Sequence, residues 1–242
     1  MDPEWRKRIQ ITFVVFIVIA AIRIGIIFYD RTHWTEPPKP QQHSSSSYRV
    51  TDDDYVTPHK LFPYDLASAR ELVGKATWIR TGNQLGFYHY SAKSHGMDSL
   101  AAGFLGPLEK LEIKDVIAQN LHGRKQIIAV FTRAGAPEEN AVPIGTVTSE
   151  RYNFTINDIF FIDDPHQLYN HWPADVWSAI DQHQVKPGMN ELQASFALGT
   201  NVRAGRGDYG NRDVQYINAN TGQSTLVTFS DNKAVTVEPE AH

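Results

Sequence analysis

The sequence predicts an α+β fold with three parts: a single N-terminal transmembrane helix, a small antiparallel β-barrel, and a two-layer domain of two helices and a three-stranded meander. Residues 9–29 form one apolar run whose only strongly polar members are a Gln and an Arg. Residues 75–162 carry short strand-like runs separated by turn residues, and residues 163–238 carry helix signals followed by three alternating runs. An SH3-like barrel is the architecture we expect for the middle part.

The apolar run has the length of a membrane span. Its 21 residues would form a helix of about 31 Å, which matches the ~30 Å hydrocarbon core of a bilayer. Three cations at residues 6–8 precede it, whereas Arg31 and Lys39 are the nearest cations after it. This asymmetry predicts a bacterial inner-membrane protein with its N-terminus in the cytoplasm and its C-terminal domains in the periplasm. A cleaved signal peptide is the alternative, although the run exceeds the usual length of such segments.

Three residues within the run predict a surface for a partner in the membrane. Ala21 and Gly25 are four residues apart, a spacing of small residues that lets a second helix backbone come close. Arg23 either extends its charge towards the interface or faces a partner helix. We therefore predict partner binding through Ala21, Arg23 and Gly25, as in a subunit of a larger membrane complex.

Composition excludes several classes of protein. The chain has 242 residues, a formal net charge of −4 and no Cys. The slightly acidic balance gives no basic footprint for nucleic acid. Without Cys, the chain has no disulfide and no lipid-modified N-terminal Cys.

Changes in composition divide the chain into four parts. Residues 1–33 are the cytoplasmic tip and the span. Residues 34–58, rich in Pro, Ser and Asp, read as an extended linker or as an arm lying on a partner. Residues 59–162 form the predicted β-rich domain and residues 163–242 the predicted α+β domain.

The middle domain begins with a helix and continues with strands. Asp65 is placed as the N-cap of a helix that ends before Gly74. The run 126–132, QIIAVFT, is almost entirely apolar, as in a strand covered on both faces. The predicted strands are 75–80, 85–91, 111–118, 126–132, 143–148 and 157–162.

The C-terminal domain shows clear helix boundaries. Pro165 suits a first helical position, and Pro173 opens a second helix. Asn190 and Gln193 form a capping-box pattern, and Gly199 ends the helix that they begin. The strands predicted to follow are 212–218, 223–230 and 233–238, with a tight hairpin turn at residues 231–232.

This domain resembles a known family. Residues Val185-x-Pro187-Gly188-Met189-Asn190-x-x-Gln193, followed by Leu198-Gly199, are similar to the helix motif of the SmpA/OmlA outer-membrane assembly lipoproteins. The similarity covers about residues 176–238, and the order of the later strands also agrees. The chain departs from that family because it has no lipid-attachment Cys and has an additional domain before the motif. The resemblance implies a small non-catalytic envelope module that binds other proteins.

Two clusters of side chains are candidate sites. Tyr169, Trp172 and Trp177 are either a hydrophobic joint between the domains or a docking patch for a partner, because Tyr and Trp dominate the centres of interfaces. His166, His171 and His183 lie near Asp163, Asp164 and Asp175, yet their spacing does not fit a zinc helix, in which the histidines are four residues apart.

The sequence thus favours a non-catalytic accessory or assembly subunit of a multi-subunit membrane complex. Its expected partners are other membrane-protein subunits and the lipid bilayer, and we expect no catalytic residue, metal or cofactor. The alternative is an envelope sensor or a binding protein for a peptide or small ligand. An enzyme would have to depend on the His/Asp cluster alone.

Overall fold

The computed structural model describes residues 21–26, 29, 50–93, 96–121, 123–149 and 151–240. The chain divides into two compact units, Met1–Val50 and Thr51–His242. In the first unit, residues 21–26 and 29 are helical, and the rest of the predicted span lies outside the described residues. Among the residues described, none belongs to a helix that is long and apolar enough to cross a membrane.

The second unit is built on a large antiparallel sheet, to which nine of its described strands belong. The sheet follows the order β3-β2-β7-β6-β5-β1-β9, with β4 paired to β2 and β8 paired to β7. The strands are β1 (Ala76–Ile79), β2 (Gly86–Ser91), β3 (Gly96–Met97), β4 (Gly103–Phe104), β5 (Lys110–Leu121), β6 (Arg124–Arg133), β7 (Ala136–Thr148), β8 (Arg151–Phe154) and β9 (Phe160–Phe161).

Three long strands form the centre of this sheet. β5 and β6 pair from Leu121↔Arg124 to Leu111↔Arg133, and a bulge lies between Ile113 and Asp115. Residues 127–131 of β6 are all at most 1 % exposed, because their side chains are covered on both faces. One face carries the main hydrophobic core, which includes Leu72, Ile79, Leu105, Leu111, Ile113, Val116, Phe131 and Ile144.

The helices are short. They are α1 (Leu66–Ala69), which continues into a 3-10 helix (Arg70–Leu72), and α2 (Ile156–Ile159), α3 (Pro165–Leu168), α4 (Ala174–Asp181) and α5 (Glu191–Leu198). A further 3-10 helix spans Asp52–Tyr55. Local capping sets several of their boundaries. Asp65 accepts a hydrogen bond from the backbone N–H of Ser68, and Asn190 and Gln193 form a complete capping box at the start of α5.

The second sheet is a four-stranded meander with the order β10-β11-β12-β13. Its strands are β10 (Val202–Ala204), β11 (Asp213–Ile217), β12 (Ser224–Ser230) and β13 (Lys233–Glu240). A two-residue turn, Asp231 and Asn232, joins the last two strands, and both residues have positive φ, as tight hairpin turns require.

Helix α5 is the centre of the C-terminal part. On one side its Phe196 packs on Phe161 of β9, with ring centroids 5.5 Å apart. On the other side its Ala194 belongs to the core of the second sheet with Val214 and Phe229. The helix is therefore buried against the edge of the first sheet and against the face of the second.

The predicted fold class is wrong. The β-rich part is an open nine-stranded sheet rather than a small SH3-like barrel, and the meander has four strands rather than three. The long strands β5 to β7 bring β1 and β9 to one edge and β3 to the other, so the sheet does not close. No helix of the described residues has the length and apolar character of the predicted transmembrane helix.

One predicted strand is also wrong. Residues 157–162 form most of helix α2 and the two-residue strand β9. Ile156 and Ile159 are buried on the same side of α2, which is the spacing of a helix and not of a strand.

Candidate functional site

The three aromatic residues predicted to bind a partner lie in the interior. Tyr169, Trp172 and Trp177 are 7 %, 5 % and 8 % exposed. The ring of Tyr169 lies 4.5 Å from that of Trp172 and 5.0 Å from that of Phe196, and burial raises the pKa of the Tyr169 hydroxyl. We call Phe161, Tyr169, Trp172, Trp177 and Phe196 the aromatic cluster. Because its rings contact one another, it serves as a hydrophobic joint between the first sheet and the helices.

The structure does not bring the three predicted histidines together. His166 lies between Asp164 and Asp181, with Nδ1–Oδ1 and Nε2–Oδ1 distances of 3.3 and 3.2 Å. Its ring stacks on Trp177 at 4.0 Å. His171 contacts a different carboxylate, and His183 hydrogen-bonds a backbone carbonyl. In the part of the chain that the structure describes, no three His, Asp or Glu side chains form a group that could hold a metal ion.

The contact made by His171 identifies a residue that the sequence did not single out, Asp53. One carboxylate oxygen of Asp53 accepts hydrogen bonds from His171 Nε2 and from Trp172 Nε1, each at 2.6 Å. The other oxygen accepts a hydrogen bond from Asn190 Nδ2 at 2.8 Å. The side chain of Asp53 is only 13 % exposed. One carboxylate therefore ties the start of the unit to the aromatic cluster and to the N-cap of α5.

Further contacts hold the residues that follow. The N–H of His59 donates to Asp163 Oδ2 at 2.9 Å. The amide of Asn157 bonds both backbone groups of Leu61, donating to its carbonyl at 2.7 Å and accepting from its N–H at 2.9 Å. Val56 packs on the aromatic cluster, and the side chain of Leu61 packs on the main core. We call residues 51–65 the anchored segment, since side chains from distant elements fix its path.

The anchored segment carries exposed aromatic side chains. Tyr55, Phe62 and Tyr64 are 77 %, 80 % and 79 % exposed, and they lie within ten residues of one another. Large apolar side chains that are exposed on an ordered backbone are typical of binding surfaces, because little backbone entropy is lost when a partner binds. These three residues are the docking strip, and they form the candidate functional site.

The predicted membrane-facing residues lie in the first unit. Ala21, Arg23 and Gly25 are helical and exposed. A side chain placed at Gly25 would meet no atom within 4 Å. Binding of a partner through these residues remains a prediction.

Comparisons of the chain with protein-family models, with curated proteins and with solved structures give no match. The resemblance to the SmpA/OmlA family remains a prediction from residues 176–238.

Sequence reasoning missed the docking strip because Tyr55 lies in the predicted linker, residues 34–58, and Phe62 and Tyr64 precede the first predicted helix of the next domain. The three aromatic residues follow no single period, and Pro58 and Pro63 interrupt the segment. The available signal was the density of aromatic residues: a solvated spacer rarely carries Tyr55, Phe62 and Tyr64 so close together.

Proposed function

We propose that this protein is a non-catalytic accessory subunit that binds a partner protein through the docking strip and belongs to a multi-subunit complex at a bacterial inner membrane. The observation that carries the proposal is the exposure of Tyr55, Phe62 and Tyr64 on a segment that Asp53 and Asn157 hold in place. Aromatic anchors of this kind supply most of the binding energy at protein interfaces.

Membrane attachment through residues 9–29 belongs to the same proposal. Its support is the hydropathy of the printed sequence and the cations at residues 6–8. Ala21, Arg23 and Gly25 are proposed as the second contact with the complex, within the membrane. In this arrangement the anchor restricts the protein to the membrane, and the docking strip selects the partner.

A co-purification experiment tests the docking strip. Full-length tagged protein is extracted from its native membrane in mild detergent, and stoichiometric partners are quantified by mass spectrometry. The variants are Tyr55→Ala, Phe62→Ala and Tyr64→Ala, singly and together. Each truncation at an interface centre costs about 1–2 kcal/mol or more, so the triple variant is expected to retain less than a tenth of the partner. Because the three side chains are exposed, the thermal unfolding temperature should change little.

Leu100 provides the matched control. It is 81 % exposed but lies outside the anchored segment, so Leu100→Ala removes one large exposed apolar side chain from another place, as each single variant does. Partner recovery should be unchanged in this variant. The proposal fails if the triple variant recovers as much partner as the wild type, or if Leu100→Ala loses as much.

A further inference from the structure

A polar cleft lies where turns of the first sheet meet the ends of α4 and α5. It consists of two adjoining pockets of about 260 and 320 Å³ that share Gly106, Pro107 and His183. We call the smaller one the amide pocket, because its lining includes Asn83, Asn218, Asn220 and Gln223, with Thr225 beside them. The amides of Asn83 and Asn220 already bond backbone groups of Leu198 and Phe104. The larger one, the Trp78 pocket, is lined by Trp78, Glu109, His166 and Asp181.

His183, at the boundary of the two pockets, occupies a position that favours glycine. It follows the last turn of α4 with φ at 54°, and its N–H donates to the carbonyl of Ile180 at 2.9 Å. A residue with left-handed backbone is common after a helix, and it is usually Gly because a side chain is strained there. Gly would adopt this backbone conformation with less strain. The presence of a His here is therefore explained better by a role of its imidazole ring.

Leu108, which also lines the Trp78 pocket, likewise has a positive φ. Residues 106–109 form a turn in which the N–H of Glu109 donates to the carbonyl of Gly106 at 3.4 Å. Pro107 is the second residue of the turn, and Leu108 is the third with φ at 51°. Turns with a positive φ at the third residue favour Gly at that position. Two strained residues with side chains therefore meet at one cleft, and such strain concentrates at binding sites.

The hydrogen bonding of His183 fixes the chemistry of its ring. Nδ1 lies 3.2 Å from the carbonyl oxygen of Ala197. Because a carbonyl oxygen only accepts, Nδ1 carries a proton, and in the neutral form of the ring Nε2 is then an acceptor. In the described part of the chain, no group hydrogen-bonds to this Nε2.

Three more polar groups of the amide pocket have no hydrogen-bond partner within the described residues. They are the side-chain amide of Gln223, the hydroxyl of Thr225 and the Nδ2 group of Asn218. The side-chain oxygen of Asn218, by contrast, accepts from the N–H groups of Asn220 and Thr221. The amide pocket therefore offers donors and acceptors that no described residue of the chain pairs, and its lining has no carboxylate, Lys or Arg.

The two carboxylates that line the Trp78 pocket each have a partner. Glu109 lies 2.9 Å from the Nε of Arg133, and Asp181 lies 3.2 Å from His166. The lining of the pocket includes no Lys or Arg that could bind a phosphate or a carboxylate ligand. The indole of Trp78 adds an apolar surface to its wall, and Nζ of Lys110 lies 5.2 Å from the centroid of this ring.

We infer that this cleft binds an uncharged saccharide, with one ring in each pocket. A sugar hydroxyl both donates and accepts, so it satisfies a mixed set of amides, a hydroxyl and an imidazole acceptor. The C–H face of a sugar ring can lie on an indole surface. An extended peptide is a poorer match, because peptides pair with an open strand edge and this cleft is walled by turns and helix ends. This site is separate from the docking strip and does not depend on the proposed partner.

Saturation-transfer NMR on the purified full-length protein in detergent tests the inference. The probe is N,N′-diacetylchitobiose, which has two uncharged rings with acetamide groups that complement the side-chain amides. Tetra-alanine with blocked termini is the comparison ligand. We expect saturation transfer to the disaccharide, with a millimolar or lower dissociation constant, and none to the peptide. Transfer to the peptide alone, or to neither ligand, would overturn the inference.

Variants of the cleft separate binding from folding. His183→Gly removes the ring and also relieves the left-handed backbone, so we expect the thermal unfolding temperature to be maintained while disaccharide affinity falls at least tenfold. Gln223→Leu should weaken binding in the same way. Asp231→Gly is the matched control: Asp231 has φ at 51°, but it lies in the β12–β13 turn away from the cleft. Undiminished binding in His183→Gly, or equal losses in Asp231→Gly, would refute the assignment.

Discussion

Glu191 opens helix α5 and is only 4 % exposed, an unusual environment for a carboxylate. Its Oε1 accepts two hydrogen bonds from the guanidinium of Arg212, at 3.1 and 2.6 Å, and its Oε2 accepts one from the N–H of Gly210 at 2.7 Å. The hydrogen bond to Glu191 raises the pKa of Arg212. These bonds compensate for the removal of the charge from water and fix the loop before β11 to the helix.

We predict that Glu191→Ala destabilises the fold strongly, because it leaves the Arg212 guanidinium and the Gly210 N–H without their partner. Breaking a buried ion pair costs about 3–5 kcal/mol. The measurement is urea unfolding followed by circular dichroism.

Glu112 is the control for this prediction. It lies 2.6 Å from Lys114, but its side chain is 59 % exposed and that of Lys114 is 37 % exposed. Solvent screens this ion pair, so Glu112→Ala should cost no more than about 0.5 kcal/mol. Similar losses for the two variants would contradict the role given to the buried pair.

Single residues differ in how well the sequence predicts their roles. The caps at Asp65 and Asn190 were predicted and are confirmed, because each depends on a partner three residues away. Asp53 was not predicted, since its partners are 118, 119 and 137 residues distant. Local sequence patterns do not indicate contacts at that separation. The neighbouring Asp52 and Asp54 are also typical of a solvated linker.

At the scale of secondary-structure elements, the turn at residues 81–84 approaches the end of α5 closely. The N–H of Thr200 donates to the carbonyl of Gly82 at 2.9 Å, and Nδ2 of Asn83 donates to the carbonyl of Leu198 at 2.8 Å. Gly199 lies between these contacts with φ at 94°. The first sheet and the central helix touch there through their backbones.

Gly199→Ala should therefore be severely destabilising. A Cβ atom at this position would lie 2.4 Å from the carbonyl oxygen of Gly82, and the positive φ adds strain. We expect a loss of more than about 3 kcal/mol, since the clash is with backbone and cannot be relieved by rotating a side chain. Thermal unfolding of the purified protein gives the comparison.

Gly188 isolates the effect of backbone strain. It has a similar φ of 92°, but a Cβ there would meet no atom within 4 Å. Gly188→Ala is expected to cost only about 1 kcal/mol. If the two variants unfolded at the same temperature, the close backbone approach would not be the cause.

It was easier to predict that a helix or strand exists than to predict which of the two forms near a boundary. The apolar run 126–132 was predicted as a strand covered on both faces, and β6 confirms it. The strand predicted at residues 157–162 was wrong. The apolar residues at 156, 159, 160 and 161 fit the spacing of a short helix followed by a short strand.

At the scale of the whole molecule, strand order limits what the sequence can predict. β1 pairs with β5 and β2 pairs with β7, so neighbours in the sheet are far apart in the chain. Alternating hydrophobic residues show that a strand exists but not which strand lies beside it. This is why a small barrel was expected and an open sheet was found.

Topology relative to the membrane is a prediction that can be tested on the full chain. With no native Cys, a single introduced thiol reports its own location. Ser45→Cys should react with a membrane-impermeant reagent in intact cells whose outer membrane has been opened, whereas Asp2→Cys should react only after lysis. The charge asymmetry around residues 9–29 gives this direction. Reversed labelling would place the second unit in the cytoplasm and remove the periplasmic part of the proposal.

The bonds at Asp53 also have a mechanical consequence. Tension applied at residue 51 would act first on the three hydrogen bonds of this carboxylate. It would act next on the bond from the His59 N–H to Asp163 and then on the bonds between Asn157 and Leu61. The first strand of the sheet begins only at Ala76. Once released, residues 51–64 would span at most about 50 Å, at roughly 3.5 Å per residue, before the load reached the sheet. Because the docking strip lies on this stretch, pulling would release a bound partner while the β-sheets stay intact.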